Sequence, residues 1–120
     1  MSYDENNIFA RILRGEIPAK KVYEDDHVLA ILDIHPQAPT HILVMPKGKY
    51  VSFDDFSANA SDAEIAALTR ATGRIAREAG VAETGYRLIL NHGPHSLQEV
   101  PHLHIHVLGG RTLGHLLTRS

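Results

Sequence analysis

Between positions 102 and 108 histidines alternate with aliphatic residues, His102-Leu103-His104-Ile105-His106-Val107-Leu108. Alternation with period two belongs to a strand, which sends successive side chains to opposite faces. Leu103, Ile105 and Val107 then share one face, which reads as core-facing. The three imidazoles share the other, where packing alone would be served by aliphatic residues. The stretch predicts a sheet with an apolar side and a chemically active side, ended by Gly109-Gly110.

The rest of the chain supplies the partners of that strand. Ile8, Phe9, Ile12 and Leu13 have helical spacing, Asn6 or Asn7 can cap the start, and Gly15 and Pro18 stop it. Residues 21–24 read as a short strand and Asp25-Asp26 as a turn. Residues 28–34 are apolar enough for a strand buried on both faces. Pro36 and Pro39 separate it from a β-rich run at 41–45, its antiparallel neighbour. Residues 50–60 read as irregular and polar. Ser61-Asp62-Ala63-Glu64 is a capping box opening a long helix, with a stripe at Ile65, Leu68, Thr72, Ile75 and Ala79 and a stop at Gly80. A strand at 85–91 and a loop at 92–99 lead to Pro101 and the histidine run.

Strands joined by short turns, with one short helix before them and one long helix inserted, predict an α+β fold on an antiparallel sheet. A parallel βαβ arrangement is disfavoured. There is no G-x-G-x-x-G, and Lys47-Gly48-Lys49 lacks the upstream glycine of a phosphate loop. With 120 residues the chain holds one domain. Residues 1–6 are expected to be a flexible N-terminal tail, 7–111 the domain, and 112–120 a C-terminal tail.

Charge and composition narrow the function classes. A formal charge of −2 gives no basic field for nucleic acid or an anionic membrane, so neither is an expected partner. The absence of cysteine excludes disulfides and thiolate metal sites. The polar, acidic start at residues 1–7 does not resemble a signal peptide, and the expected location is cytoplasmic. Of nine histidines, five fall between His92 and His106. His27, His92, His95 and His115 read as surface residues. His35 reads as a turn residue or a neighbour of the site.

Histidines at i and i+2 on a strand lie roughly 6.6 Å apart and can share an ion, but the outer pair is about twice as far apart. A metal reading therefore needs ligands from elsewhere and leaves one histidine unexplained. Catalysis without metal uses all three. A neutral imidazole is a nucleophile, and attack on phosphorus gives a phosphoimidazole that water cleaves. His104, with an imidazole on each side, is the natural nucleophile, and His102 and His106 are its supports. Asn91 ends a strand, Gly93 offers backbone amides to an anion, and Ser96 and Gln98 can donate to phosphate, while each of these alone reads more simply as ordinary turn chemistry. His41 begins an apolar strand, where a buried histidine needs a partner: a core hydrogen bond, or the triad itself.

The run matches at every position the pattern His-φ-His-φ-His-φ-φ, and the chain here resembles the histidine triad (HIT) superfamily. Asn7-Ile8-Phe9, Gly15-Glu16-Ile17-Pro18-Ala19-Lys20, Tyr23-Glu24-Asp25-Asp26, the stretch from Asp33 to His41 and Gly109-Gly110-Arg111 are similar to its HINT-like branch. The resemblance implies a five-stranded antiparallel sheet with two helices and a homodimer in which the long helix and a sheet edge build a shared sheet. It implies a hydrolase of purine nucleoside 5′-phosphoramidates that works at the α-phosphate through a nucleotidyl-histidine, with no cofactor and no metal. Dinucleoside polyphosphate hydrolysis, and a nucleotide-binding regulator with incidental turnover, are the alternatives. By position, His104 corresponds to the nucleophile, His102 and His106 to groups that orient it and contact phosphate or leaving group, and His41 to a buttress. Asn91 and Gln98 correspond to residues around the phosphate, and Asp33 to the carboxylate that accepts from the ribose hydroxyls. Ile8, Phe9, Ile12, Ile31 and Ile34 correspond to the walls of the base pocket. This chain departs from the pattern in having Ile31 where some members have an aromatic residue, Ser96-Leu97 for a glycine pair, Glu99 for a serine near the leaving group, and Pro101 for a frequent tyrosine.

Overall fold

The computed structural model describes residues 2–117. The element order is α1 (Ile8–Leu13), β1 (Lys21–Glu24), β2 (Val28–Leu32), β3 (Thr40–Pro46), α2 (Phe53–Asn59), α3 (Asp62–Glu78), β4 (Tyr86–Ile89) and β5 (Ile105–Gly109), with a single 3-10 turn at Pro94–Ser96. The five strands form one antiparallel sheet in the order β1-β2-β3-β5-β4. The chain thus has the predicted α+β architecture, with β5 inserted between β3 and β4. No described helix is long and apolar enough to cross a membrane.

The two faces of the sheet carry separate clusters. On one, α3 covers Val28, Ala30, Ile42, Val44, Leu103 and Val107 through Leu68, Ala71, Ile75 and Ala76. On the other, α1 covers Leu29, Ile31, Leu43 and Met45 through Phe9 and Ile12. Strand β2 is buried on both faces because it lies between them. The helix α3 starts where its capping box lies, and the box forms: Glu64 N–H donates to Ser61 Oγ at 3.1 Å while Ser61 N–H donates to Glu64 Oε1 at 3.0 Å. Its stripe is rotated slightly from the predicted one, with Ala71 and Ala76 buried and Ala79 exposed. Thr72 is tolerated in the core because its hydroxyl donates to Leu68 O at 2.8 Å.

Two expectations are corrected. Residues 50–60 are not irregular: α2 runs from Phe53 to Asn59, capped by Ser52, with Phe56 buried. The histidine run is not all strand, since the ladder begins at Ile105. Continuing the β3–β5 register past Val44↔Ile105 would set Pro46 opposite Leu103, and proline has no N–H for the ladder. Leu103 N–H donates instead to Tyr50 O at 2.9 Å. Residues 2–6 also make contacts with the domain. Glu5 pairs with Lys49 at 2.6 Å and with Arg14 at 3.6 Å, and Tyr3 reaches the triad.

Candidate active site

Alternation survives the early end of the ladder. Leu103 and Val107 are buried in the α3 cluster, so His102, His104 and His106 fall on the α1 side. Around them Phe9, Asp33, His41, Asn91, Gln98, Glu99, His104 and His106 line a cleft of about 350 Å³, with His35 at its edge. Phe9 packs edge-on against His104 with ring centroids 4.8 Å apart.

Hydrogen bonds to groups of fixed polarity assign every triad tautomer. A carbonyl only accepts, so His102 Nε2–H donates to Pro46 O at 2.8 Å, and His104 Nδ1–H donates to His102 O at 2.8 Å. His104 Nε2 therefore carries the lone pair. Among the described residues no buried side-chain nitrogen or oxygen lacks a partner, so this unpaired nitrogen opens on the cleft. A backbone N–H only donates, so His41 Nδ1 accepts from Gln37 N–H at 3.1 Å and the His41 proton sits on Nε2. From there it is donated to His106 Nδ1 at 2.9 Å, with Asp33 Oδ2 at 3.4 Å as a second acceptor. His106 then keeps its own proton on Nε2. The site presents one imidazole lone pair beside one imidazole N–H, on rings whose centroids are 5.1 Å apart.

Burial keeps these rings neutral. It pushes the His102 pKa down to about 4, against the opposing bond to Pro46 O. Burial, then the charge of His104 and His41, lowers His106 to about 4. His104 is also lowered by burial, with its bond to His102 O and the charges of Asp33 and Glu99 pulling the other way. A neutral His104 is the form a nucleophile needs.

The remaining positions divide. His41 is buried and buttresses His106. Asp33 is held by His35 N–H at 2.7 Å on Oδ1 and turns Oδ2 toward His41. Asn91 lines the cleft and makes no side-chain hydrogen bond among the described residues, so its amide is available to a ligand. Glu99 is exposed at the rim. Two placements differ from expectation, those of His102 and Gln98. His102 is wholly buried with both ring nitrogens engaged, so it does not line the cleft. Gln98 Nε2 spends both hydrogens on Val51 O (2.8 Å) and Val100 O (3.1 Å), and its Oε1 takes Gly93 N–H (2.9 Å), which makes it a loop brace rather than a phosphate donor. Ser96 Oγ likewise turns back to His92 O at 2.7 Å. Of the apolar set only Phe9 lines the cleft: Ile12 and Ile31 are buried beneath it, and Ile8 and Ile34 are exposed. Ile34 instead edges a neighbouring hollow of about 510 Å³ with Pro18, Ala19, Lys20 and Leu32, and Asp33 belongs to both spaces. Leu97, at the glycine-pair position, has φ 62°, a left-handed conformation that glycine adopts without strain.

Asp33, His41 and His106 each bring a possible metal ligand within 4.8 Å of the others. Their hydrogen-bond polarity does not fit an ion. A metal on His41 Nε2 would move that ring's proton to Nδ1, directly against Gln37 N–H.

Sequence reading missed Tyr3, Gln37 and Pro46. The last two act through the backbone, which no side-chain pattern reveals. Tyr3 was hidden in a segment whose composition reads as a tail.

Comparison with known proteins gives the family. A model of the HIT domain matches residues 14–113. A 13.2 kDa HIT-like protein of Azospirillum brasilense is 65% identical over 119 residues, covering 99% of this chain and 98% of the relative. The purine nucleoside phosphoramidase of Escherichia coli K12 is 48% identical over 116 residues, covering 97% of each. The crystal structure of a HIT family hydrolase from Legionella pneumophila superimposes with a TM-score of 0.83 at 43% identity, over 91% of this chain and 96% of that one. A triad with a bare His104 Nε2, on this sheet and with these relatives, makes the chain a hydrolase of the histidine triad (HIT) family.

Proposed function

We propose that the chain hydrolyses purine nucleoside 5′-phosphoramidates at the α-phosphate through a nucleotidyl-His104 intermediate. The observation that carries this is the pairing of the His104 Nε2 lone pair with the His106 Nε2–H at one cleft. His104 Nε2 attacks phosphorus, the P–N bond breaks, and its electron pair leaves with the amine, which takes a proton from water in the open cleft. The His106 N–H donates to the phosphoryl oxygen as charge builds there. A second water, giving its proton to the hydroxide left by the first step, then attacks phosphorus, the bond to His104 breaks, and the nucleoside monophosphate leaves with the lone pair restored on Nε2. Asp33 lines both the cleft and the hollow beside Ile34, and this reading assigns it to the ribose hydroxyls with the base on the Ile34 side. The 48% identity to a purine nucleoside phosphoramidase supports this choice of substrate.

The test is adenosine 5′-phosphoramidate with chelator present, followed by 31P NMR, with diadenosine polyphosphates as competing substrates. Release of AMP from the phosphoramidate is expected, with an adenylyl group trapped on His104 by acid quench and mass spectrometry. His104→Ala is expected to lose at least about a thousandfold in rate. Preference for the polyphosphates would reassign the substrate, and an active His104→Ala variant would remove the nucleophile. Asp33→Ala is expected to raise KM more for the ribonucleotide substrate than for its 2′-deoxy analogue; equal effects would take Asp33 off the ribose.

A further inference from the structure

The hydroxyl of Tyr3 lies 2.6 Å from His102 Nδ1, and the two rings meet edge-on with centroids 5.7 Å apart. The chain directly after Tyr3 is pinned at two points. Asn7, the cap of α1, donates both its backbone N–H (3.2 Å) and its side-chain amide (2.8 Å) to Asp4 O. The Glu5 carboxylate lies 2.6 Å from Lys49 Nζ. Tyr3 is therefore placed by the fold.

The polarity of the contact follows from its far side. His102 Nε2 holds its proton against Pro46 O, and the buried ring is neutral, so Nδ1 can only accept and the phenol donates. The imidazole has no exposed surface, so no water replaces that donor without opening the packing. The same residue offers its carbonyl to His104 Nδ1–H, and that bond is what leaves the His104 lone pair on Nε2.

We propose that Tyr3 is a positioning residue of the active site. Its O–H fixes the His102 ring, and through the His102 carbonyl it fixes His104 in its nucleophilic tautomer. The proposal rests on His104 being the nucleophile. Tyr3 itself touches neither substrate nor reacting atoms. The hydroxyl carries the effect, because the edge-on ring contact is available to phenylalanine as well.

Tyr3→Phe tests it. The variant is expected to lose about tenfold in kcat on adenosine 5′-phosphoramidate, the weight of one hydrogen bond, with KM within about twofold of the parent. In 15N NMR of the histidine rings, the parent is expected to show His104 with Nδ1 protonated and Nε2 bare, and the variant a mixture of tautomers. In a His102→Ala background, Tyr3→Phe is expected to add no further loss. An unchanged kcat in Tyr3→Phe, the same loss with and without His102, or unaltered His104 resonances would each overturn the role. The NMR measurement needs no substrate, so absence of phosphoramidate turnover in the parent would refute the proposed function and leave this test standing.

Discussion

The three histidines of one motif are three different groups once their partners are counted. His102 is a wholly buried link between Tyr3, Pro46 and His104; His104 offers a lone pair; His106 offers a proton. Burial has a consequence for stability. The His102 ring titrates near 6.5 in an unfolded chain and near 4 in the fold. Between those values the unfolded state binds the extra proton, so its contribution is intact above about pH 6.5 and is lost as pH falls toward 4. The shift corresponds to an upper bound of about 3 kcal/mol from this one buried group. His106 moves in the same direction from a more open position. Glu24 and Glu64, whose carboxyls hydrogen bonds hold below the ordinary 4.5, contribute from that value downward, at the foot of the histidine window. Urea midpoints are expected to be level from about pH 8 to 6.5 and to fall steadily to pH 4. In His102→Leu the same titration is expected to flatten, whatever its absolute stability; an unchanged slope would place the effect elsewhere.

At the scale of elements, what was legible had its cause in nearby sequence. The helix α3 announces itself because Ser61 and Glu64 bond each other three residues apart. Ser61→Ala removes the side-chain cap, and a loss of about 1 kcal/mol is expected in chemical denaturation with kcat unchanged. A loss in kcat without a loss in stability would contradict the assignment. The helix α2 had weaker signals, a Ser52 cap at 3.4 Å and the acidic pair Asp54 and Asp55 in its first turn, and these read equally well as loop chemistry. The shortened β5 was not legible because its cause, Pro46, is remote in sequence. The loop at 92–99 shows the same limit. Ser96 and Gln98 were recognisable as polar groups, but whether a polar group faces a ligand or its own backbone depends on where the chain turns. At the site, His104, His106, His41 and Asp33 were legible from residue type and resemblance. The tautomers that give them roles come from the carbonyls of Pro46 and His102 and the N–H of Gln37, which every residue type possesses.

As a whole, the molecule has two sheet edges of unlike character. The β1 edge begins and ends in charge, at Lys21 and Glu24, and its pairing is broken by an irregularity between Lys21 and Tyr23, features that discourage further strand addition. The β4 edge has one charge in four residues, Arg87, and that guanidinium donates to Gly114 O at 2.9 Å. Tyr86 and Leu88 on this strand are 39% and 49% exposed. Beside them a groove of about 170 Å³ runs between Phe53, Phe56, Leu90, Leu103 and Ile105, and Phe53 is 48% exposed. The homodimer implied by the resemblance is expected to cover this region with a second copy of the chain, β4 pairing antiparallel with β4. An antiparallel strand meeting its own copy satisfies a two-fold axis, and the resulting sheet has no open β4 edge. Leu103 and Ile105 alternate with the triad histidines, so the groove lies on the face of that strand opposite His104. Sedimentation equilibrium is expected to return twice the 13.2 kDa chain mass. Leu88→Asp sets two like charges close to the axis and is expected to return the single mass with the fold retained, because Leu88 is half exposed within one chain. A parent protein that sediments at the single mass at micromolar concentration would refute the dimer. A dimer unaffected by both Leu88→Asp and Phe53→Asp would move it to another face.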